Sequence, residues 1–177
     1  MDNTGLQVRE AAVADLAAVV ALVNSAFRGE SSKAGWTTEA DMLGGVRTDE
    51  ARQREWIATP GHVTLVREED GAIIACVSLK RTGDEAYLGM LTTKPTLQAR
   101  GLGRAMVRAA EAWAATHWGA RAVHMTVIVQ RPELVAWYVR LGYSETGERQ
   151  PFPYGDERFG LPKRPDLEFT VLRKVLG

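Results

Sequence analysis

Apolar residues recur at helical spacing in several segments of the chain. Over residues 15–27 they occupy every third or fourth position, which predicts a helix with one face on a core. The carboxylate of Asp15 is placed to cap the first turn of this helix. Three further helices are predicted, and they cover residues 49–57, 103–117 and 132–142. A short helix is also expected after Thr37 or Thr38, either of which can cap it.

Runs of β-branched and apolar residues between these segments predict strands. The predicted strands cover residues 6–10, 62–69, 72–81, 85–95, 122–129, 143–150 and 167–176. The dipeptide "DG" at 70–71 is typical of a two-residue hairpin turn, so the second and third strands are expected to pair. The run "AVHMTVIV" at 122–129 is continuous, as expected of a strand that is covered on both faces. The last two strands are predicted to close the sheet as an antiparallel pair.

The order of these elements is β-α-α-β-β-β-α-β-α-β-β, which predicts an α/β fold with helices on both faces of a mixed sheet. A chain of 177 residues, 45% of them hydrophobic, suits a single domain over residues 1–177. The segment 151–166, "PFPYGDERFGLPKRPD", holds four of the seven prolines and is predicted to lack regular structure. An irregular connection of this length is usually functional.

Charge and composition exclude several classes of function. Lys+Arg and Asp+Glu both number 22, and this balance argues against broad binding to nucleic acid or an anionic membrane. The longest uncharged apolar run, residues 16–27, is too short to span a bilayer, and the first residues show no secretory signal. Cys76 is the only cysteine, so an internal disulfide is excluded and a buried thiol in a reducing compartment is expected. We therefore expect a soluble, cytoplasmic protein. Three scattered histidines show no metal-ligand spacing, so no metal is expected.

The segment "QARGLGRA", residues 98–105, places two glycines between a predicted strand and a predicted helix. A P-loop needs Lys followed by Ser or Thr after its second glycine, and here Gly103 is followed by Arg104. A dinucleotide fingerprint needs a third small residue where this chain has Met106. What remains is a helix N-terminus whose amides favour an anion, with glycines that let a pyrophosphate approach closely.

This turn resembles the one that binds the cofactor in the GNAT superfamily of acetyl-CoA-dependent N-acetyltransferases. Two more segments are similar to that family: "LGMLTTKP" before the turn, and "RPELVAWYVRLGY" with its tyrosine and closing glycine. The resemblance covers essentially the whole chain. It implies an α+β type of fold, with a mixed, mostly antiparallel sheet of six or seven strands flanked by about four helices.

The resemblance implies transfer of an acetyl group from acetyl-CoA, as co-substrate, to a primary amine that attacks directly in a ternary complex. In the family, amides of the turn hold the pyrophosphate, and amides of the preceding strand face the thioester carbonyl. The implied cofactor residues are Leu91, Thr92, Thr93, Gln98, Ala99, Arg100, Gly101, Leu102, Gly103 and Arg104. Arg131 joins them, because it stands where many members have an asparagine that touches the cofactor. The alternative is a non-catalytic acyl-CoA-binding or sensing module on the same fold.

The resemblance assigns Tyr138 as the acid that protonates the leaving thiolate, since it matches the tyrosine of the family. A neutral phenol, with an ordinary pKa of about 10, can donate this proton. The general base stays open, because a water relay would serve as well as a side chain. The candidate side chains are His62, His117, His124, Glu30, Glu39 and Glu85.

The resemblance also places the acceptor amine between two polar segments, residues 28–41 and 151–166. The candidate contacts are Glu30, Trp36, Tyr154 and Asp156. An acidic side chain there would attract a cationic amine, whereas Arg28 or Arg158 would hold a carboxylate, and the sequence leaves both open. An amino acid, a polyamine, an antibiotic and a protein N-terminus all remain candidates. Homodimers are common in the family, but nothing in this chain demands one.

Overall fold

The computed structural model describes residues 7–177, and the side chain of Glu30 lies outside the description. The helices are α1 (Leu16–Phe27), α2 (Gly29–Ser32), α3 (Glu50–Ala58), α4 (Leu102–Trp118) and α5 (Pro132–Arg140). The strands are β1 (Val8–Glu10), β2 (Leu43–Gly44), β3 (His62–Glu69), β4 (Ala72–Thr82), β5 (Glu85–Thr93), β6 (Ala122–Ile128), β7 (Ser144–Pro151), β8 (Leu161–Pro162) and β9 (Glu168–Val175). The predicted start of the first strand at residue 6 lies outside the described residues. The predicted strands and the four longer helices are otherwise confirmed to within a few residues of their ends.

Seven strands form one sheet in the order β1-β3-β4-β5-β6-β9-β7. Within residues 7–177 its one parallel pair is β5 with β6, so the predicted mixed, mostly antiparallel sheet is confirmed. The hairpin between β3 and β4 turns at Asp70 and Gly71, whose φ angles are 51° and 77°. Two positive φ angles are what a tight turn between twisted strands requires.

Helices cover both faces of this sheet, as predicted. On one face α1 contributes Val23 to a buried cluster with Val66 and Cys76. On the other face α4 contributes Met106 to a second cluster that includes Leu65. The neighbours Leu65 and Val66 belong to different clusters because successive side chains of a strand point to opposite faces. Cys76 is buried as expected, and burial raises the pKa of its thiol to about 12.

The helix expected after Thr37 or Thr38 does not form. The hydroxyl of Thr38 instead accepts a hydrogen bond from the amide of Ala40 at 3.2 Å and bonds the hydroxyl of Ser32 at 2.5 Å. Short polar side chains of this kind compete for the backbone and favour turns over helices. The segment that follows α2 is therefore a series of turns that leads into β2.

Asp15 precedes α1 but its side chain does not cap that helix. Its carboxylate accepts the amide of Ala12 at 2.7 Å and forms an ion pair with Arg9 at 2.7 Å. The carboxylate thus stabilises the turn before α1, which joins β1 to the helix.

The segment 151–166 is irregular over most of its length, as predicted, but it contributes one short strand. Leu161 and Pro162 form β8, which pairs with Gly44 and Leu43 of β2 in a separate two-stranded sheet. Proline is tolerated in a strand at a free edge, where its missing N–H breaks no ladder. This small sheet attaches the segment 151–166 to residues 43–44, which closely follow the other polar segment predicted to flank the acceptor.

Candidate active site

The site opens where two neighbouring strands separate. β5 and β6 pair through their first three residues, and the pairing ends at Tyr87 and His124. The strands themselves continue to Thr93 and Ile128. A cavity of about 460 Å³ is lined by residues from the unpaired parts of both strands. Its volume is that of an ordinary small-molecule site.

The cavity brings together most of the residues that the resemblance assigned to the site. Those that line it are Trp36, Leu91, Thr93, Gln98, Ala99, Gly101, Gly103, Arg104, Arg131 and Tyr138. Those that lie outside its lining are Thr92, Arg100, Leu102, Tyr154 and Asp156. The side chain of Glu30 lies outside the description.

A bulge interrupts β5 beside the cavity. The paired residues on either side of it are Ser78 with Gly89, and Cys76 with Thr92. Met90 and Leu91 therefore lie opposite the single residue Val77, and Met90 has a φ of 54°. A bulge leaves part of the backbone out of the ladder, and a positive φ in a non-glycine residue is a strain that is concentrated at functional sites. Backbone groups near Leu91 are thus available to face the cavity, which the sequence alone did not show.

The turn before α4 has the backbone that an anion site requires. Ala99 and Gly101 both have left-handed φ angles, of 69° and 77°. No side chain caps the N-terminus of α4, so its first amides are left for another partner. Gly103 faces Trp137, because a Cβ at this position would lie 3.4 Å from the indole ring. Trp137 also lines the cavity, so the absence of a side chain at Gly103 leaves space between the turn and this ring.

The side chain of Gln98 connects this turn to the loop between α2 and β2. Its Oε1 accepts the amide of Trp36 at 2.9 Å, and its Nε2 donates to the hydroxyl of Thr37 at 2.8 Å and to the carbonyl of Thr93 at 3.3 Å. Trp36 then lies edge-on to Trp137, with 5.9 Å between the ring centroids. Gln98 was predicted as a cofactor residue, and its polar atoms are in fact engaged within the protein.

Tyr138 lies on α5 and reaches the cavity from a buried position. Burial raises the pKa of its phenol above the ordinary value, while the charge of Arg131 acts in the opposite direction. Its ring packs edge-on against Trp137 and Tyr143, with centroid distances of 4.9 and 5.8 Å. The phenol is therefore held in place and stays protonated near neutral pH.

Tyr154 and Asp156, predicted as acceptor contacts, are bound to their own segment. The hydroxyl of Tyr154 donates to the carbonyl of Arg164 at 2.8 Å and accepts the amide of Leu167 at 2.9 Å. The carboxylate of Asp156 forms an ion pair with Arg158 at 2.6 Å, and this hydrogen bond lowers the pKa of Asp156 to about 2. Both residues shape the segment, and Arg158 rather than Asp156 lines the cavity.

Most of the candidate bases lie outside the lining of the cavity. His124 lies 3.2 Å from Glu85 in an ion-pair geometry, and His62 and His117 stack on tryptophan rings. None of these four residues lines the cavity. Glu39 does line it, but both of its carboxylate oxygens face guanidinium groups.

Three arginines lie at or next to the cavity, and only two of them, Arg28 and Arg131, were named from the sequence. Arg28 forms an ion pair with Glu39, and Arg131 lies 3.7 Å from the same carboxylate and donates to the carbonyl of Trp36 at 3.4 Å. Arg47 lines the cavity, with its guanidinium 5.9 Å from the ring of Phe27. Sequence reasoning missed Arg47, because its segment contains no motif and no regular pattern.

The family is shown by a match that covers the site. The model of the family described as Acetyltransferase (GNAT) family matches residues 31–143, which include the bulged strand, the glycine turn and Tyr138. The chain therefore belongs to the GNAT family of acetyltransferases. No curated protein sequence matches it at a significant level.

Solved structures share the fold at low sequence identity. A ribosomal-protein-alanine N-acetyltransferase from Brucella melitensis has a TM-score of 0.71 and 18% identity, and the match covers 97% of this chain and 100% of that one. A putative acetyltransferase from Salmonella typhimurium, solved with its cofactor acetyl-CoA, has a TM-score of 0.69 and 21% identity, with 97% and 94% covered. A mutant spermidine N-acetyltransferase from Vibrio cholerae has a TM-score of 0.70 and 16% identity, with 98% and 95% covered. These likenesses confirm the predicted fold.

Residues 7–177 lack two kinds of feature. They contain no helix of the length and apolar character that crossing a bilayer demands. They also contain no group of three or more histidine, cysteine or acidic residues arranged to hold a metal ion.

Proposed function

We propose that this protein, as a single domain over residues 1–177, transfers the acetyl group of acetyl-CoA to a primary amine, by direct attack in a ternary complex. One observation carries the proposal: the separation of β5 from β6 places an uncapped helix N-terminus, a strand bulge and a buried phenol around one cavity. These are the three groups that the reaction needs, for the pyrophosphate, the oxyanion and the leaving sulfur respectively.

The turn and the strand hold the cofactor in this proposal. Amides from Ala99 to Arg104 bind the pyrophosphate, and Arg104, which lines the cavity, adds a charge-assisted contact. The pantetheine arm then lies in the gap between β5 and β6 and delivers the thioester to the bulge. An amide near Leu91 donates to the carbonyl oxygen. Because the guanidinium of Arg131 contacts Glu39 and Trp36, we assign it to the acceptor end rather than to the cofactor.

The chemistry follows from these positions. The lone pair of the neutral amine attacks the thioester carbon, and the carbonyl oxygen becomes an oxyanion that the strand amides stabilise. Collapse of this intermediate breaks the C–S bond, and the phenol of Tyr138 gives its proton to the departing sulfur. The amine loses a proton to water, because the carboxylate of Glu39 is engaged by Arg28 and Arg131.

A second candidate, a non-catalytic acyl-CoA sensor, is favoured by one feature of the same cavity. Glu39 is the single carboxylate among the described residues that line it, and it is ion-paired. A sensor would need the cofactor contacts but no base.

Calorimetry with acetyl-CoA, followed by detection of free CoA with a panel of amines, separates these cases. We expect binding together with amine-dependent CoA release, which Tyr138→Phe should slow strongly. Binding without release for every amine would favour the sensor, and absence of binding would overturn both. Free-thiol detection suits the assay, because Cys76 is buried and its thiol has a raised pKa of about 12.

A further inference from the structure

Positive charge exceeds negative charge in the part of the cavity that is lined by Arg47, Arg131 and Glu39. We call Arg28, Arg47 and Arg131 the arginine cluster. Arg28 and Arg131 are 5% and 2% exposed, and Glu39 is the carboxylate that they share. Arginine stays protonated in proteins, so three positive charges face one negative charge.

Among the described residues, the neighbouring acidic side chains do not restore the balance. Glu133 lies 3.8 Å from Arg131, but its side chain is 58% exposed, and ion pairs of that kind contribute little. Asp156 is neutralised by Arg158. Arg47 forms no ion pair with any side chain that the structure describes within residues 7–177.

Two guanidinium nitrogens in the cluster lack a hydrogen-bond acceptor. Nε of Arg28 and Nη1 of Arg131 are both fully buried and unpaired. The 3.7 Å separation of Arg131 Nη1 from Glu39 is an ion-pair distance but too long for a hydrogen bond. A buried, unsatisfied charged donor is costly. Arg131 also lines the cavity, so an anion bound there would offset the electrostatic cost of this buried positive charge.

The arginines also act on one another. Burial is the largest cause that lowers the pKa of Arg28, Glu39 opposes it, and the charges of Arg47 and Arg131 lower it further. The three guanidinium groups are therefore close enough to repel. An anion between them would relieve the repulsion.

We propose that the acceptor is a small amine that also carries a carboxylate, and that Arg131 and Arg47 bind this carboxylate. The inference rests on the proposed transferase function and deepens it. A planar guanidinium matches a carboxylate with two parallel hydrogen bonds. The same charges repel a polyamine, whose second ammonium group would meet the cluster. Phe27, Phe159 and Phe169 line the cavity nearby, so the body of the acceptor is apolar.

Matched acceptors test the carboxylate directly. Leucine and phenylalanine would each be compared with their amides, with their decarboxylated amines and with spermidine, at fixed acetyl-CoA. We expect kcat/KM for the amino acids to be at least about tenfold higher, the scale of one charge-assisted hydrogen bond. Equal rates for the amides, or a preference for spermidine, would overturn the proposal.

Arg47→Gln is the variant of choice, because Arg47 is only half-buried and its loss leaves the ion pair of Glu39 intact. It should raise KM for the amino acid about tenfold with little change in kcat, while KM for the amide, which carries no carboxylate, should rise much less. Arg121→Gln is the matched control, since Arg121 is exposed and precedes β6 at the end opposite Ile128. Arg131→Gln should also raise KM for the amino acid. Arg131 is buried, so if its variant fails to fold, the test rests on Arg47→Gln.

A binding experiment separates this inference from the transferase proposal. N-acetylleucine and N-acetylleucinamide would be titrated into the CoA-loaded protein by calorimetry. The inference is supported if N-acetylleucine binds more tightly than N-acetylleucinamide and this preference is lost in Arg47→Gln. The support holds even if no amine releases CoA, and in that case the transferase proposal alone fails. Equal binding of the two compounds, or binding of neither, refutes it.

Discussion

The side chain of Gln98, in the turn before α4, accepts a hydrogen bond from the amide of Trp36 at 2.9 Å. Through this contact, the segment proposed to bind the cofactor is joined to the loop proposed to bind the acceptor. The fit is close, because a Cβ on Gly35 would lie 2.4 Å from Gln98 Oε1. A conformational change in either segment must therefore alter the conformation of the other.

Gln98→Ala should weaken both binding events. It removes three hydrogen bonds, each of which contributes about 0.5–1.5 kcal/mol, so we expect acetyl-CoA affinity to fall about tenfold or more. Calorimetry measures this loss, and hydrogen exchange should report faster exchange over residues 33–42. Gln150→Ala, on the exposed strand β7, serves as the control. Unchanged affinity and exchange in Gln98→Ala would show that this contact does not couple the turn to the loop that contains Trp36.

Gly103→Val should abolish acetyl-CoA binding while the protein stays folded. The added Cβ would reach Trp137 at 3.4 Å and Thr93 at 3.9 Å, so the branched side chain fills the space before the turn. Ala112→Val controls for the placing of a branched side chain on this helix, because Ala112 is exposed there. Both variants should stay folded, but only Gly103→Val should lose the heat of binding. A Gly103→Val protein that titrates normally would contradict the cofactor site.

Tyr138→Phe should lower kcat by about 10²- to 10⁴-fold, the usual contribution of a positioned acid. Binding of acetyl-CoA should change little, because the ring and its packing are retained. Tyr143→Phe is the matched control: it removes a buried hydroxyl that donates to Glu111 at 2.9 Å but does not line the cavity. That control should lose about 1 kcal/mol of stability and keep its turnover. Parental turnover in Tyr138→Phe would exclude the acid role.

Stability at low pH should depend on Asp15. Hydrogen bonds from Arg9 and then from the Ala12 amide lower the pKa of Asp15 to about 2. A lowered folded pKa means that the stabilisation is complete above the unfolded value of about 3.9 and is lost as the pH falls toward 2. Urea unfolding from pH 6 to 2.5 should therefore show a smaller decrease for Asp15→Asn than for the parent. Asp70→Asn, in the exposed hairpin turn, should behave as the parent does.

Local patterns allowed much of the fold to be predicted. The apolar periodicity of α1, the "DG" turn at 70–71 and the glycines around α4 each act over a few residues, so their spacing indicates the structure directly. The helix expected after Thr37 or Thr38 failed because the hydroxyl of Thr38 found nearer partners in a turn. Such competition depends on tertiary packing, which the pattern of residue types along the chain does not show.

The sequence by itself determined the order of the main helices and strands, the glycine turn before α4 and the presence of Tyr138 on the inner face of α5, because each depends on neighbours within one or two turns of chain. Only the tertiary structure decided that β5 separates from β6 beside a bulge, and that Arg28 and Arg131 converge on Glu39 with Arg47 close enough to act on Arg28. These arginines come from segments far apart in the chain, and their balance of charge exists only when packing brings them together and removes water.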